Sequence, residues 1–176
     1  MKTRRVVTGH TPEGKSVIAS DTKINAVTIS LAPGSKFYRF WGADSVPILP
    51  DDGSTYPCPD YFPPAGGYRF GLFTVPPQST IAPEPMDRES ALQEAEAKLP
   101  GLVTKMEPDN PGMHTTDSID LAYIISGEVW LELDDGKMVC LHAGDTVVQN
   151  GTRHAWRNKS TEPCSIVVCL IGTQRR

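Results

Sequence analysis

No stretch of this chain approaches the ~20 consecutive apolar residues that a membrane-spanning helix requires, so a helical span is excluded. Basic residues are not in excess. Seventeen Lys and Arg stand against 21 Asp and Glu, a net charge of −4, which leaves no electrostatic footprint for nucleic acid. Cysteine is sparse: Cys58, Cys140, Cys164 and Cys169 form no C-x-x-C pair. The charged opening Met1–Val7 has no apolar run behind it, so no secretory signal is expected and a cytoplasmic, reducing location is. Free thiols behaving as small buried hydrophobes follow, with a Cys140–Cys164 bridge as the alternative. The chain also lacks a G-x-S-x-G elbow, a phosphate-cradling glycine loop, an internal repeat and basic–aromatic interleaving.

What is present in quantity is punctuation. Sixteen prolines and 15 glycines in 176 residues cut the chain into short pieces, the mark of strands and loops rather than a helical bundle. Val6-Val7, Ser16–Ala19 and Ala26–Ser30 read as strands around a turn at Pro12–Lys15. Residues 44–67 read as a long loop, and Tyr68–Val75 as a strand stopped by Pro76-Pro77. One helix is expected over Asp87–Leu99. Asp87 caps it, Ala91, Leu92, Ala95 and Leu99 share a stripe, and Pro100-Gly101 ends it. Beyond Gly112 six short strands follow: 121–125, 128–133, 138–141, 146–149, 154–158 and 165–171. Asp135-Gly136 is a hairpin signal between two of them. Stretch 1–111 supplies N-terminal strands, the loop and the helix, and 112–172 the other half of a closed barrel or jelly roll. Together they form one domain.

Within Gly112–Asp120, residues His114, Thr116 and Asp120 share strand parity, so an unbroken strand would point all three to one face. Forty residues on, His154 offers a third donor. Two imidazoles and a carboxylate inside a barrel suit one divalent ion, Fe, Mn, Ni or Zn, with positions left for water and substrate.

These residues carry a resemblance. The chain resembles the cupin superfamily, whose pattern is G-x5-H-x-H-x3,4-E-x6-G followed by G-x5-P-x-G-x2-H-x3-N. His114 falls on the first histidine, Thr116 on the second, Asp120 on the glutamate and Gly127 on the closing glycine. Pro108 stands at the opening glycine. Gly144, Gly151, His154 and Asn158 match the second motif, with one residue fewer before Gly151 and Asn150 in place of proline. A narrower group of small bacterial and fungal cupins is similar at Arg5–Gly9, Pro63–Gly67, Pro100–Leu102 and Gly112–Asp117. The resemblance implies an all-β, double-stranded β-helix with an N-terminal β-arm and one short helix. It also implies a homodimer that takes a small-molecule ligand. Two functions follow from it: a metal-dependent enzyme (dioxygenase, decarboxylase, isomerase or lyase type), or a metal-free binding or sensing barrel.

Several other residues are candidates with a plainer alternative beside them. Trp156 shares parity with His154 and is either a pocket wall or a core indole. Arg69, opposite in parity to Tyr68 and Phe70, either recognises a substrate carboxylate or makes an ion pair. Asp117 is a carboxylate orienting His114 or a solvated one. The run 37–41 lines a mouth or covers a barrel face. His10 and His142 read as surface residues, and Trp130 as an exposed indole covered by the N-terminal strands or a second subunit.

Overall fold

The computed structural model describes residues 3–80 and 87–176. Strands β1 (Thr3–His10) and β2 (Ser16–Ile24) form a hairpin that, among the described residues, is a two-stranded sheet of its own. Then come β3 (Lys36–Ala43), β4 (Tyr68–Val75), helix α1 (Arg88–Lys98), β5 (Ser118–Ser126), β6 (Glu128–Glu132), β7 (Met138–His142), β8 (Thr146–Asn150), β9 (Ala155–Arg157) and β10 (Cys164–Gly172). A five-stranded sheet runs β3-β4-β10-β5-β8 and a three-stranded sheet runs β7-β6-β9, all antiparallel. This is the double-stranded β-helix that the resemblance implies.

Alternation builds the core. In β5, Ser118, Asp120, Ala122 and Ile124 are buried while Leu121, Tyr123 and Ile125 are exposed, as a pleated strand with one wet face requires. Ala122 and Ile124 pack with Ile166 and Val168 of β10, and with Val129 and Leu131 of β6 across the barrel. Asp135 and Gly136 both take positive φ in the β6–β7 turn, the backbone that an Asp-Gly hairpin adopts.

The helix forms where the sequence places it. Asp87 accepts from the Ser90 N–H at 3.3 Å, satisfying one of the donors left free at a helix start. Ala91, Ala95 and Leu99 are buried, and Ala95 and Leu99 pack on Ile29.

The strand expected at 26–30 is a correction. Only Val27 bridges, to Phe37, and the chain turns back at once through Ala32 N–H to Ile29 O. Ile29 is β-branched and buried, but against the helix rather than in a ladder. All four cysteines are free and only Cys164 is buried, so the core-thiol expectation holds for that one alone. Among the described residues no helix is long and apolar enough to cross a membrane.

Asn158, the last motif position, is fully buried. Its side-chain amide donates to Val75 O and Glu162 O, and its Oδ1 accepts from the Ser160 N–H and hydroxyl. It ties the turn before β10 to the end of β4.

Candidate functional site

His114 and His154 meet because their backbones pair. The His114 N–H donates to His154 O and the His154 N–H to His114 O, each at 2.9 Å. That is a hydrogen-bonded antiparallel pair, which sets two side chains on one face. The ring centroids lie 4.2 Å apart. Two arginines flanking His154 hold the opposite loop in place. Arg153 grips both Glu107 oxygens at 2.6 and 2.7 Å, and Arg157 donates to Pro111 O and Asn110 Oδ1.

Each imidazole has one nitrogen committed. Nδ1 of His114 lies 3.0 Å from Gly112 O, and Nδ1 of His154 lies 3.0 Å from Thr152 O. A carbonyl can only accept, so both Nδ1 atoms carry the proton and both Nε2 atoms keep a free lone pair. Burial holds His114 below its ordinary pKa. It brings His154 down to about 4, with His114 adding to the shift. Both rings are neutral at pH 7.

The reading of 114–120 as an unbroken strand is corrected. Six extended residues would put Asp120 about 20 Å from His114, beyond the reach of any shared ion. Instead residues 115–117 lie outside any strand, with a bend at Asp117, and β5 starts only at Ser118. Asp117 anchors the bend. Its carbonyl accepts from the Thr173 N–H, and its carboxylate binds Arg175 at 2.5 Å and Lys105 at 3.3 Å. It therefore acts on the chain path and not on the His114 ring.

Asp120 is buried with Ser118 Oγ 2.6 Å from its Oδ1 and Thr116 Oγ1 3.0 Å beyond Ser118. Ser118 has one proton, and an ionised carboxylate has none to give. Ser118 therefore donates to Asp120 and accepts from Thr116. Burial raises the Asp120 carboxyl to about 6, against the opposing Ser118 hydrogen bond.

The linkage signs of the two groups oppose. Asp120 binds its proton more tightly folded than unfolded, so its contribution to stability falls as pH rises from about 4 to about 6. His154 binds its proton less tightly folded, so its contribution falls as pH drops from about 6.5 to about 4. Asp120→Asn removes the first slope. Urea midpoints of chelated protein should then drop more steeply on acidification than those of the parent. Parallel profiles would show that the Asp120 carboxyl is not raised.

His114, Asp120 and His154 line a cavity of about 180 Å³ together with Phe62, Phe73 and Trp156. Trp156 stands edge-on to His154 at 6.0 Å, and Phe62 lies 6.4 Å from His114. Thr116 is fully buried, hydrogen-bonded to Ser118, and does not line this cavity. Arg69 is a register partner of Leu170, which partners Asp120 in turn, so both point to the same face. Arg69 nevertheless lines a neighbouring cavity of about 220 Å³, which shares Tyr61, Val168 and Leu170 with the first. Its guanidinium is buried and donates to Asp60 O, Ala43 O, Tyr68 O and Asp44 Oδ1. The protein already supplies the acceptors that a substrate carboxylate was expected to supply. Of the run 37–41, Phe37 lines the histidine cavity and residues 38–41 the neighbouring one.

Sequence reasoning missed Ser118 and Phe62. Ser118 shares parity with Thr116 and Asp120, a signal that was available. Phe62 comes from the long loop, where no periodicity exists to mark it. His142 is exposed and His10 half-buried on Asp51 O. Trp130 is half-buried with Lys159 Nζ 5.6 Å from its ring.

The chemistry of the donors in the cavity, two neutral imidazoles and a carboxylate, fits a divalent ion. As they stand, the three donor atoms do not all lie within 4.8 Å of one another. Among the described residues, Glu128, Cys140 and His142 on the outer surface do.

Residues 102–170 match the family model of the cupin domain. The chain is 44% identical over 64 residues to phomopsin biosynthesis cluster protein C' of Diaporthe leptostromiformis, covering 34% of each chain. It is 42% identical over 64 residues to oryzines biosynthesis cluster protein J of Aspergillus oryzae, covering 34% of this chain and 36% of that protein. The match thus spans about a third of these curated relatives' length. Among solved structures, the polyketide cyclase RemF of Streptomyces resistomycificus is 16% identical. It covers 89% of this chain and 78% of its own, with a TM-score of 0.46. A cupin 2 conserved barrel domain protein from Salinispora arenicola is 16% identical over 82% and 81% of the two chains, with a TM-score of 0.43.

Proposed function

We propose, from the match of residues 102–170 to the cupin-domain family model, that the barrel acts on a small organic molecule with one divalent ion (Fe, Mn, Ni or Zn). The ion's ligands are Nε2 of His114, Nε2 of His154 and the Asp120 carboxylate. The observation that carries this reading is the matched tautomers. Each Nδ1 is turned onto a backbone carbonyl, the arrangement that orients a ligating imidazole and keeps Nε2 available. A bound ion supplies Lewis-acid chemistry or O2 activation, which covers dioxygenation, decarboxylation, isomerisation and water elimination.

The chain's own residues do the rest. Ser118 orients Asp120, which turns about its side-chain torsions to complete the ligand set. Phe62, Phe73 and Trp156 give the substrate apolar walls and keep water out. The named relatives belong to biosynthetic clusters, which supports a small-molecule substrate.

A second reading, a metal-free binding barrel, is favoured by the donor spacing and by Ser118 holding Asp120. Elemental analysis of protein stripped and reloaded with each ion separates the two. The barrel centre should hold one equivalent, counted in a Cys140→Ser background so that the outer surface group does not contribute. No bound ion would leave the metal-free reading.

A second copy is proposed against the outward row Leu121, Tyr123, Val148 and Ile171, which is 39–61% exposed. An apolar row of this kind on a sheet face marks an interaction surface. Light scattering should give about twice 19.2 kDa, and a monomer mass at micromolar concentration would remove the dimer.

A further inference from the structure

On the solvent side of the β6–β7 hairpin, three side chains of metal-ligating type converge. Glu128 and His142 oppose each other directly across the strand pair, and Cys140 stands on the same face one step along, opposite Trp130. His142 Nε2 is 3.8 Å from Cys140 Sγ and 3.5 Å from Glu128 Oε2. The donor atoms of all three fall within 4.8 Å of one another. A tetrahedral zinc with ordinary bond lengths needs about 3.5 Å between sulfur and nitrogen, and about 3.3 Å between nitrogen and oxygen. The observed separations exceed these by only a few tenths of an ångström, within the reach of small side-chain rotations.

An independent observation concerns the other side of the imidazole. Asp145 Oδ2 accepts from the His142 backbone N–H at 2.8 Å and lies 3.9 Å from His142 Nδ1. The carboxylate is thus fixed by the main chain on the edge of the ring away from Cys140 and Glu128. At 3.9 Å this carboxylate is not hydrogen-bonded to the ring. A small rotation on metal binding would bring Nδ1–H onto it and leave Nε2, which faces Cys140 and Glu128, for the ion, as in carboxylate–histidine–zinc groupings.

We propose that Glu128, Cys140 and His142 bind a divalent ion of the zinc class on the outer face of the hairpin, with Asp145 orienting His142. A thiolate, an imidazole and a carboxylate form the mixed soft and borderline set that zinc prefers to magnesium or calcium. On binding, the Cys140 thiol gives its proton to solvent and the sulfur becomes a thiolate ligand. The charges of thiolate and carboxylate then balance that of the ion, and water takes the fourth position. Among the described residues strand β7 pairs with β6 alone, so the ion would clip an edge strand to its neighbour.

The test uses the full chain, reduced and stripped of metal, titrated with Co(II) as a spectroscopic substitute for Zn(II). Thiolate ligation gives a charge-transfer absorption in the near ultraviolet, which His114, Asp120 and His154 cannot give. The band should saturate at one equivalent in a His154→Ala background, where the barrel centre does not compete, and disappear on adding excess Zn(II). It should be lost in Cys140→Ser and in His142→Ala, and be retained in His154→Ala. Asp145→Asn should weaken Co(II) binding about 10- to 100-fold. Circular dichroism of each variant checks that the fold is kept. No band in the parent, or a band that survives Cys140→Ser, overturns the site. Either result leaves the barrel centre untouched.

Discussion

Replacing His154 with alanine is expected to reduce the ion held at the barrel centre from one equivalent to none, with loss of whatever turnover the ion supports. The backbone pair to His114 uses only main-chain N–H and C=O, so alanine keeps it and the two strands stay in register. What disappears is one of two free Nε2 donors. His114 and Asp120 alone form a two-point site, and open positions filled by water do not replace an imidazole. The stability cost should be about 1–3 kcal/mol, because a buried ring leaves a small cavity and Thr152 O loses one of its two donors, keeping the Gln149 amide. His154→Gln fills much of that space without an imidazole, so it separates lost ligation from loosened packing. Elemental analysis and circular dichroism on the same samples decide the matter. Unchanged ion content in His154→Ala would sink the proposed ligand set.

The second large effect is on stability. Gly172→Ala is expected to destabilise the protein by about 3 kcal/mol, at the upper end of what overpacking costs. Gly172 ends β10, where its N–H donates to Gly67 O and its carbonyl accepts from the Gly66 N–H. A Cβ at this position would overlap the Pro64 carbonyl oxygen and carbon. These are main-chain atoms and cannot rotate aside, so the 63–67 segment must move as a unit or β10 must fray. That segment directly follows Phe62, a wall of the histidine cavity, so ligand binding should weaken along with the urea midpoint. A midpoint within error of the parent would mean that the segment yields freely.

The sequence made the strands of the second half legible because pleating imposes a period of two on whatever is half-buried. All six expected there are present. The helix was legible from its cap and stripe. The strand at 26–30 failed because β-branched residues mark burial and not pairing, and Ile29 is buried on a helix. His114 and His154 could be named from the motif, and parity put Asp120 on the right face. Parity could not give distance. The bend at Asp117 depends on Thr173, Arg175 and Lys105, none of which lies within ten residues of it along the chain. For Arg69 the plainer of the two readings, an ion pair, is the one present, with Asp44. Its orientation followed from the strand, but its acceptors lie at the end of β3 (Ala43) and in the loop beyond it (Asp44 and Asp60), where there is no pattern to read.

The order β3-β4-β10-β5-β8 carries a consequence for how the chain is made. Among the described residues, strands β4 and β5 are joined in the sheet through β10, the last strand in chain order. At a synthesis rate of about 5–20 residues per second, the growing chain spends several seconds with both of those edges unpaired and the barrel unclosed. During that interval, rows of free N–H and C=O groups are open to any other extended segment. The nascent chain is therefore most open to mispairing in the interval before Cys164–Gly172 clears the ribosome.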